Sequence, residues 1–231
     1  MVFAAGLGTR LRPLTNDIPK ALVDVAGEPL LGRVIRRLTA AGADGIVVNT
    51  HHFHEKIADY VASRDFGVPV ALSREEAFPL ETGGGLKKAA ALLGDRPFFA
   101  YNADVYSEMD LRAMYAAHLA SGALATLAVR ERPSKRHLMF DAGMSLRGRE
   151  GEVHAAGLRP FAFSGIQVVS PRIFGLMTEE GMFSVTAVYL RLAAAGERVQ
   201  GYADVSPFWC DIGDLERLEL VRARAAQGAK L

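Results

Sequence analysis

The chain has 231 residues, of which 50% are hydrophobic, and its 27 basic and 26 acidic side chains give a formal net charge of +1. This length suits a single α/β domain over residues 1–231, and the near-neutral charge argues against binding to nucleic acid or an anionic membrane surface. The single cysteine, Cys210, excludes an internal disulfide, and no apolar run approaches the ~20 residues needed to span a bilayer.

Strand and helix patterns alternate along the first half of the chain. Apolar strand patterns occur at residues 2–5, 45–49, 68–72, 97–101 and 124–129. Helical patterns lie between them, at residues 29–41, 53–63, 83–93 and 109–120. This alternation predicts an α/β fold with one doubly wound, mostly parallel sheet.

The pattern changes after Arg130. Residues 132–157 are polar and contain scattered glycines, which predicts a small β-hairpin insertion laid against the main sheet. Strand patterns return at residues 162–169 and 199–203, and helical patterns at 184–195 and 214–227. Asp214 is the predicted N-cap of the last helix.

The segment after the first strand pattern is the most informative part of the chain. Its sequence is Ala4-Ala5-Gly6-Leu7-Gly8-Thr9-Arg10-Leu11-Arg12-Pro13-Leu14-Thr15, followed by Pro19-Lys20-Ala21-Leu22. Glycines let backbone N–H groups approach a ligand closely, and successive N–H groups in such a turn bind anions. Arg10, Arg12 and Lys20 add positive charge. Because α/β sheets bind phosphorylated ligands at strand ends, this loop predicts a nucleoside triphosphate site.

Two familiar phosphate motifs are excluded for this loop. Leu11 stands where the dinucleotide fingerprint requires its third glycine, and no Gly-Lys-Ser/Thr closes the loop as in a Walker motif. On Gly6 and Gly8 alone, an ordinary strand–helix turn with surface arginines remains an alternative.

Two aspartates follow apolar strands in distant parts of the chain. Asp104 ends Asn102-Ala103-Asp104, and Asp211 lies in Trp209-Cys210-Asp211-Ile212-Gly213-Asp214. Mg²⁺ takes one or two carboxylates together with phosphate oxygens, so two aspartates that converge from strand ends fit a site for this ion. The alternative is that Asp104 caps a turn and Asp211 is a loop carboxylate.

Three consecutive glycines, residues 83–85, precede a helical pattern. We expect them to form a turn whose exposed backbone groups contact a nucleobase or ribose, and a flexible turn without a ligand is the alternative. His51, His52 and His54 stand at the start of a helical pattern without a cysteine or acidic cage, and we interpret them as solvated or capping side chains.

Residues 4–22 resemble, nearly residue for residue, the opening of the sugar-1-phosphate nucleotidyltransferases. The motifs at 102–104 and 209–214 resemble the Asn-Gly-Asp and Trp-x-Asp-Ile-Gly-Thr of that family, except that Ala103 replaces a glycine and Asp214 a threonine. The Glu-Thr-Gly-Gly-Gly at 81–85 resembles the N-acetylmuramate-1-phosphate uridylyltransferases of cell-wall recycling and short mannose-1-phosphate guanylyltransferase-like proteins. The resemblance covers essentially the whole chain.

The resemblance implies a Rossmann-like nucleotidyltransferase fold and Mg²⁺-dependent transfer of a nucleotidyl group from a nucleoside triphosphate to a sugar 1-phosphate. UTP and N-acetylmuramate 1-phosphate are the favoured substrates, and a mannose-1-phosphate guanylyltransferase or another hexose-1-phosphate nucleotidyltransferase is the alternative. Arg10 is expected to hold the departing pyrophosphate, and Lys20 to bridge the α-phosphate and the sugar phosphate. Asp104 and Asp211 are expected to hold the metal.

The remaining expected contacts fall into two groups. Nucleotide contacts are expected from Ala4, Ala5, Gly6, Gly8, Thr9, Arg10, Lys20, Thr82, Gly83, Gly84 and Gly85. Sugar contacts are expected from Asn102, Asp141, Gly143, Glu152, Ser164 and Gly165. The nucleotide-binding half is expected at about residues 1–130 and the sugar-binding half at about 131–231.

A non-catalytic sensor of nucleotide sugars is the rival from another class. It predicts that a charged catalytic group is lost, whereas Arg10, Lys20, Asp104 and Asp211 are all present. Without a signal-peptide pattern, we expect a cytoplasmic protein, either a monomer or a small homo-oligomer, with no nucleic-acid or membrane partner.

Overall fold

The computed structural model describes residues 1–227. The strands are β1 (Val2–Phe3), β2 (Asp24–Val25), β3 (Glu28–Pro29), β4 (Ile46–Thr50), β5 (Val70–Arg74), β6 (Phe98–Asn102), β7 (Val105–Ser107), β8 (Ala125–Arg130), β9 (Leu138–Phe140), β10 (Leu146–Arg149), β11 (Arg159–Val169), β12 (Val199–Ala203) and β13 (Trp209–Asp211). The α-helices are α1 (Leu30–Ala40), α2 (His54–Ala62), α3 (Glu81–Lys88), α4 (Leu111–Ser121), α5 (Val185–Ala194) and α6 (Leu215–Ala226). Within these residues, no helix has the length and apolar character needed to cross a membrane.

Nine of the strands form one central sheet. β5, β4, β1 and β6 lie side by side and pair in parallel, and β12 pairs in parallel with β8. β11 runs antiparallel between β6 and β8, and the β9–β10 hairpin joins its first half. All strands of this sheet except β10 and β11 therefore point in one direction. The predicted mostly parallel sheet with a small hairpin insertion is confirmed.

Apolar clusters cover both faces of the sheet. α1, α2 and α4 pack on one face, and α3, α5 and the β9–β10 hairpin pack on the other. Val47 and Val48 of β4 belong to different clusters, because successive side chains of a strand point to opposite faces. Helices on both faces confirm the doubly wound architecture.

The edge of the sheet at the carboxyl ends of β1, β4 and β6 carries the predicted site. Beside it, β7 pairs with β13 in a two-stranded antiparallel sheet, and α6 packs its Leu218 and Val221 against this pair. Asp214 caps α6, since its Oδ1 accepts a hydrogen bond from the Arg217 N–H at 2.9 Å. The predicted N-cap is confirmed.

One predicted element is wrong in a way that matters for function. Residues 83–85 do not form a turn before a helix, because α3 begins at Glu81 and contains all three glycines, which are buried. α3 also ends earlier than predicted, at Lys88, and a short 3₁₀ turn over Ala90–Leu92 follows it.

Candidate active site

A cavity of about 290 Å³ opens at the carboxyl ends of β1, β4 and β6. Its lining combines the loop after β1, the Lys20 segment, the start of α3 and the end of β6, and consists of Phe3, Ala4, Ala5, Gly6, Lys20, Ala21, Asn49, Pro79, Glu81, Thr82, Asn102, Ala103 and Asp104. Ligand pockets are commonly concave, mostly apolar and edged by a few polar groups, and this cavity has that character.

The two glycines of the loop after β1 have different environments. Gly8 has a φ of +65°, and a Cβ there would lie 3.0 Å from the Cβ of Lys20, so both the turn and the approach of Lys20 require glycine. The Thr15 hydroxyl donates to the Gly8 carbonyl oxygen at 2.8 Å and fixes this turn. Gly6, by contrast, has no neighbouring atom within 4 Å of an added Cβ. The backbone at Gly6 is therefore open towards the cavity.

Lys20 and Asp104 form an ion pair at the edge of the cavity. The Lys20 Nζ donates to the Asp104 Oδ2, and the two side chains are 12% and 32% exposed. The lysine is held by a turn that follows Pro19 and by the packing of its Cβ on Gly8. Both charges therefore remain within reach of a ligand in the cavity.

Asp211 is brought beside Asp104 by strand pairing. In the β7–β13 pair Asp211 stands opposite Val105, and the Ile212 N–H donates to the Asp104 carbonyl oxygen at 2.8 Å. The Asp211 carboxylate pairs with Arg217 of α6. Two aspartates 107 positions apart in the chain (211 − 104) thus lie on neighbouring backbone segments at one edge of the fold.

Arg10 reaches the same edge from the loop after β1. Its Nη1 lies 3.0 Å from the position that a Cβ on Gly213 would occupy, two residues beyond Asp211. The guanidinium is exposed. The structure therefore gathers Lys20, Asp104, Asp211 and Arg10, the side chains expected to be catalytic, along one edge.

Asp104 and Asp211 form a donor set that suits a divalent cation bound together with a phosphorylated ligand. Residues 1–227 contain no group of three or more His, Cys, Asp or Glu side chains arranged to hold a metal by themselves. Mg²⁺ does not need such a cage, since it commonly uses one or two carboxylates and takes its other ligands from phosphates and water.

The backbone of the three glycines in α3 is not available to a nucleobase. The N–H groups of Gly83 and Gly84 donate to the Phe183 carbonyl oxygen at 2.8 and 3.2 Å. A Cβ on Gly84 would clash with the Gly181 carbonyl oxygen, and one on Gly85 would lie 2.6 Å from the Glu75 Oε1. The expected nucleotide contacts of Gly83, Gly84 and Gly85 through exposed backbone are therefore wrong, because these glycines serve close packing.

The start of α3 is joined to the segment before α5 by further hydrogen bonds. The Val185 N–H donates to the Thr82 Oγ1 at 3.1 Å, and the Phe183 N–H donates to the Leu80 carbonyl oxygen at 3.2 Å. Thr82 itself lines the cavity, so its side of the helix remains next to a ligand.

A buried polar network supports this side of the cavity, and it was not foreseen from the sequence. Glu75, only 1% exposed, accepts hydrogen bonds from the Asn49 Nδ2 at 2.6 Å and the Leu80 N–H at 2.7 Å. The Asn49 Oδ1 accepts from the Ala4 N–H at 2.8 Å, so Ala4 lines the cavity but its N–H is engaged. A polar Asn49 in an otherwise apolar strand pattern was the available signal.

The expected sugar residues Asn102 and Gly165 lie together. Gly165 has a φ of +77° at an irregularity of β11, and a Cβ there would lie 2.8 Å from the Asn102 Nδ2. Ser164 is buried, and its carbonyl oxygen accepts from the Trp209 Nε1 at 2.9 Å. This part of β11 therefore packs between the end of β6 and the start of β13.

The other three expected sugar residues are not brought to this place. The Asp141 Oδ1 accepts from the N–H groups of Gly143 and Ser145 at 3.0 and 2.9 Å, and its Oδ2 accepts from Arg147. The carboxylate thus stabilises the hairpin turn between β9 and β10. Glu152 is exposed in the turn after β10, and none of Asp141, Gly143 and Glu152 is among the described residues that line the cavity. Asp141, Gly143 and Glu152 therefore do not border this cavity, and their contacts with the sugar stay a prediction.

Cys210 and the histidines contribute packing and local hydrogen bonds. Burial raises the pKa of the Cys210 thiol to about 11, so this thiol is protonated at neutral pH and is not a nucleophile. The Thr50 Oγ1 and His54 Nδ1 lie 2.8 Å apart at the start of α2, and the His51 Nδ1 lies 2.7 Å from the Glu75 carbonyl oxygen.

A family model described as nucleotidyl transferase matches residues 1–141, more than half of the chain. The chain belongs to the nucleotidyl transferase family. It is 36% identical to the N-acetylmuramate alpha-1-phosphate uridylyltransferase of Caulobacter vibrioides, over 98% of this chain and 96% of the relative. It is 35% identical to the protein of the same name from Neisseria meningitidis, over 97% of each chain. The predicted class, a sugar-1-phosphate nucleotidyltransferase, is confirmed.

More distant similarities agree with this class. Mannose-1-phosphate guanylyltransferase 1 of Arabidopsis thaliana is 30% identical over 92% of this chain and 60% of its own length. Among solved structures, HddC from Yersinia pseudotuberculosis has a TM-score of 0.79 at 23% identity, with 97% of each chain covered. A UDP-glucose pyrophosphorylase complexed with UDP-glucose has a TM-score of 0.82 at 18% identity, over 98% of this chain and 97% of its own. These structures show the shared fold.

Proposed function

We propose that this enzyme transfers a uridylyl group from UTP to N-acetylmuramate 1-phosphate and releases pyrophosphate and UDP-N-acetylmuramate. The choice of base and sugar is supported by the similarity, along nearly the whole chain, to two enzymes named for this reaction. Transfer itself is supported above all by the Lys20–Asp104 pair at the cavity, with Asp211 on the adjoining strand.

The proposed reaction is a substitution at the α-phosphorus of UTP. An oxygen of the sugar phosphate forms the new P–O bond. The bond between the α-phosphorus and the bridging oxygen of the β-phosphate breaks, and pyrophosphate leaves with the electron pair. Because the attacking oxygen is already anionic at neutral pH, no protein base or nucleophile is needed. Catalysis then depends on positioning and charge stabilisation.

Lys20 and Arg10 are assigned to different phosphates. The Lys20 ammonium is a compact charge, mostly buried beside Asp104, and we assign it to the α-phosphate and the sugar phosphate, where negative charge accumulates. Arg10 is exposed, and its planar fork of donors suits the departing pyrophosphate. The open backbone of Ala5, Gly6, Gly8 and Thr9 is assigned to the triphosphate, and Thr82 to the nucleoside.

Mg²⁺ is the proposed cofactor, and Asp104 and Asp211 would hold it together with phosphate oxygens. When bound, the ion offsets negative charge on the phosphates. Lys20 pairs with Asp104 and Arg217 pairs with Asp211, so each carboxylate is held in place by a cationic neighbour. Asn102, next to Gly165, is assigned to the sugar hydroxyls.

A substrate panel tests the proposal. Pyrophosphate release would be measured with Mg²⁺ for UTP, CTP, GTP and ATP, each combined with the 1-phosphates of N-acetylmuramate, N-acetylglucosamine, mannose and glucose. We expect the highest kcat/KM for UTP with N-acetylmuramate 1-phosphate. A maximum for GTP with mannose 1-phosphate would favour the alternative that the Arabidopsis relative suggests. Nucleotide binding without pyrophosphate release in any mixture would favour a sensor.

Three further expectations stay predictions. These are the division into a nucleotide-binding half at about 1–130 and a sugar-binding half at about 131–231, the cytoplasmic location, and a monomer or small homo-oligomer. Sedimentation at several protein concentrations tests the last of them.

A further inference from the structure

Arg132 lies between two strands, β11, which contains the expected sugar residues Ser164 and Gly165, and β13, which carries Asp211. Its guanidinium lies over the Trp209 ring, with Cζ 4.3 Å from the ring centroid, and its Nη2 donates to the Phe163 carbonyl oxygen at 3.0 Å. Trp209 donates in turn to the carbonyl oxygen of Ser164. Arg132 is thus fixed beside residues 163–165 of β11 and beside β13, which ends at Asp211.

Unlike Arg130 and Arg217, Arg132 has no carboxylate partner within residues 1–227. Arg130 pairs with Asp204, and Arg217 pairs with Asp211. Within residues 1–227 no carboxylate forms an ion pair with Arg132, and its buried Nε has no hydrogen-bond partner there. Burial lowers the pKa of Arg132, and nearby Asp211 opposes that effect. Arg132 is half-buried, and an anionic ligand would supply the counter-ion that its charge does not have among these residues.

The proposed substrates supply the candidates for that anion. The triphosphate is already assigned to Arg10, Lys20 and the loop after β1. Arg132 bonds Phe163 of β11, two residues before Gly165, and Gly165 packs against Asn102, which lines the cavity and is assigned to the sugar. N-acetylmuramate 1-phosphate carries a carboxylate on its lactyl ether in addition to its phosphate, and N-acetylglucosamine 1-phosphate is the same sugar without that group.

We propose that Arg132 binds the carboxylate of an acidic sugar 1-phosphate, and that this contact selects N-acetylmuramate 1-phosphate over its neutral counterpart. The inference rests on the proposed function and names the residue that gives it sugar selectivity. The guanidinium lies over the Trp209 ring, with Nη1 donating to the Pro133 carbonyl oxygen and Nη2 to that of Phe163. Each of these nitrogens carries a second N–H, and the two together match the two oxygens of a carboxylate. The stacking also reduces the rotamer freedom lost on binding.

The test compares two sugar phosphates as substrates of the same preparation of each enzyme variant. For the wild type, Arg132→Gln, Arg132→Lys and the control Arg136→Gln, kcat/KM would be measured with UTP and each of N-acetylmuramate 1-phosphate and N-acetylglucosamine 1-phosphate. Arg136 is an exposed arginine in the same segment, so its loss removes the same charge from the surface. The ratio of the two kcat/KM values is independent of the fraction of folded enzyme.

We expect Arg132→Gln to lower the ratio about ten- to a hundred-fold, mainly through a higher KM for N-acetylmuramate 1-phosphate, as for the loss of one charge-assisted contact. Arg132→Lys should restore part of the ratio, and Arg136→Gln should leave it unchanged. An equal loss with both sugars in Arg132→Gln would overturn the inference, because it would assign Arg132 to the shared phosphate or to holding Trp209. A wild type that prefers the neutral sugar would overturn the proposed substrate and this inference together.

Discussion

Two glycine-rich segments border the cavity and use their glycines for opposite purposes. In the loop after β1, an added Cβ at Gly6 would meet nothing, so the backbone faces open space. In α3, the three glycines are buried against Phe183, Gly181 and Glu75, and their N–H donors are engaged or enclosed. The same residue type thus exposes backbone for a ligand in one place and, in the other, allows α3 to pack closely on the segment before α5 and on Glu75.

The charged side chains beside the open loop are proposed to carry out the chemistry. Substitutions of these side chains should therefore have the largest effects on turnover. We expect Asp104→Asn or Asp211→Asn to abolish Mg²⁺-dependent turnover while the fold is retained, because each removes one of only two proposed carboxylate ligands. Pyrophosphate release and the circular dichroism spectrum measure the two properties. Near-normal activity of either variant would contradict the metal assignment.

Lys20, whose Cβ packs on Gly8, should give the next largest effect. Loss of a charge that stabilises the transition state costs about 2–4 kcal/mol, so Lys20→Ala should lower kcat on the order of 10²–10³ with a smaller change in UTP binding. Lys20→Arg should recover little, since a planar guanidinium does not replace a compact ammonium between two phosphates. The test is steady-state kinetics at low and high salt. A small loss of kcat that disappears at high salt would indicate that Lys20 only attracts anions to the surface, and would contradict its catalytic role.

The packed glycines should affect stability and the open glycine should affect binding. Gly84→Ala forces a methyl group against the Gly181 carbonyl oxygen, and overpacking of this kind costs roughly 1–3 kcal/mol, or about 2–12 °C in Tm for a chain of this size. Gly6→Ala should leave Tm unchanged and raise the KM for UTP several-fold. Thermal unfolding measures Tm and steady-state kinetics measure the KM for UTP of both variants. A lower Tm in Gly6→Ala together with a raised KM alone in Gly84→Ala would contradict the two assigned roles.

The smallest effect on activity is expected from the buried network that supports α3. In Glu75→Gln one acceptor oxygen becomes an NH₂ group facing the donor of Asn49 or Leu80, which should cost about 1–3 kcal/mol of unfolding free energy. Because Asn49 also holds the Ala4 N–H, the KM for UTP should rise modestly, with kcat little changed. Urea unfolding and steady-state kinetics test this. A variant as stable as the wild type would mean that the carboxylate is dispensable.

The sequence predicts the phosphate loop well because the information there is contiguous. Gly6, Gly8, Arg10 and Lys20 lie within fifteen residues (positions 6 to 20), and the local turn determines how they are arranged. The sheet class followed from hydrophobic periodicity in the same way. Asp104 and Asp211 were recognisable as strand-end carboxylates, although their approach depends on the pairing of β7 with β13.

The residues whose environment was not predicted from the sequence share a physical reason: their partners are distant in the chain or were overlooked. Gly83, Gly84 and Gly85 were interpreted as an exposed turn because their packing partners, Gly181 and Phe183, lie about a hundred positions further along the chain. Asp141 did carry a local signal, since Asp followed by Gly143 and Ser145 is typical of a carboxylate that caps its own turn. Arg132 could not be singled out, because a lack of ion-pair partners is visible only in three dimensions.

The hydrogen bonds between the start of α3 and the segment before α5 bear on how the enzyme can open and close. Four hydrogen bonds join Phe183 and Val185 to residues 80–84. Three are between backbone groups, and in the fourth the Val185 N–H donates to the Thr82 hydroxyl oxygen. A hinge at this seam would have to break them together and leave buried donors unpaired. The wall beside Thr82 and α5 are therefore expected to move as one rigid body, so that any change in the shape of the cavity on this side would carry α5 with it.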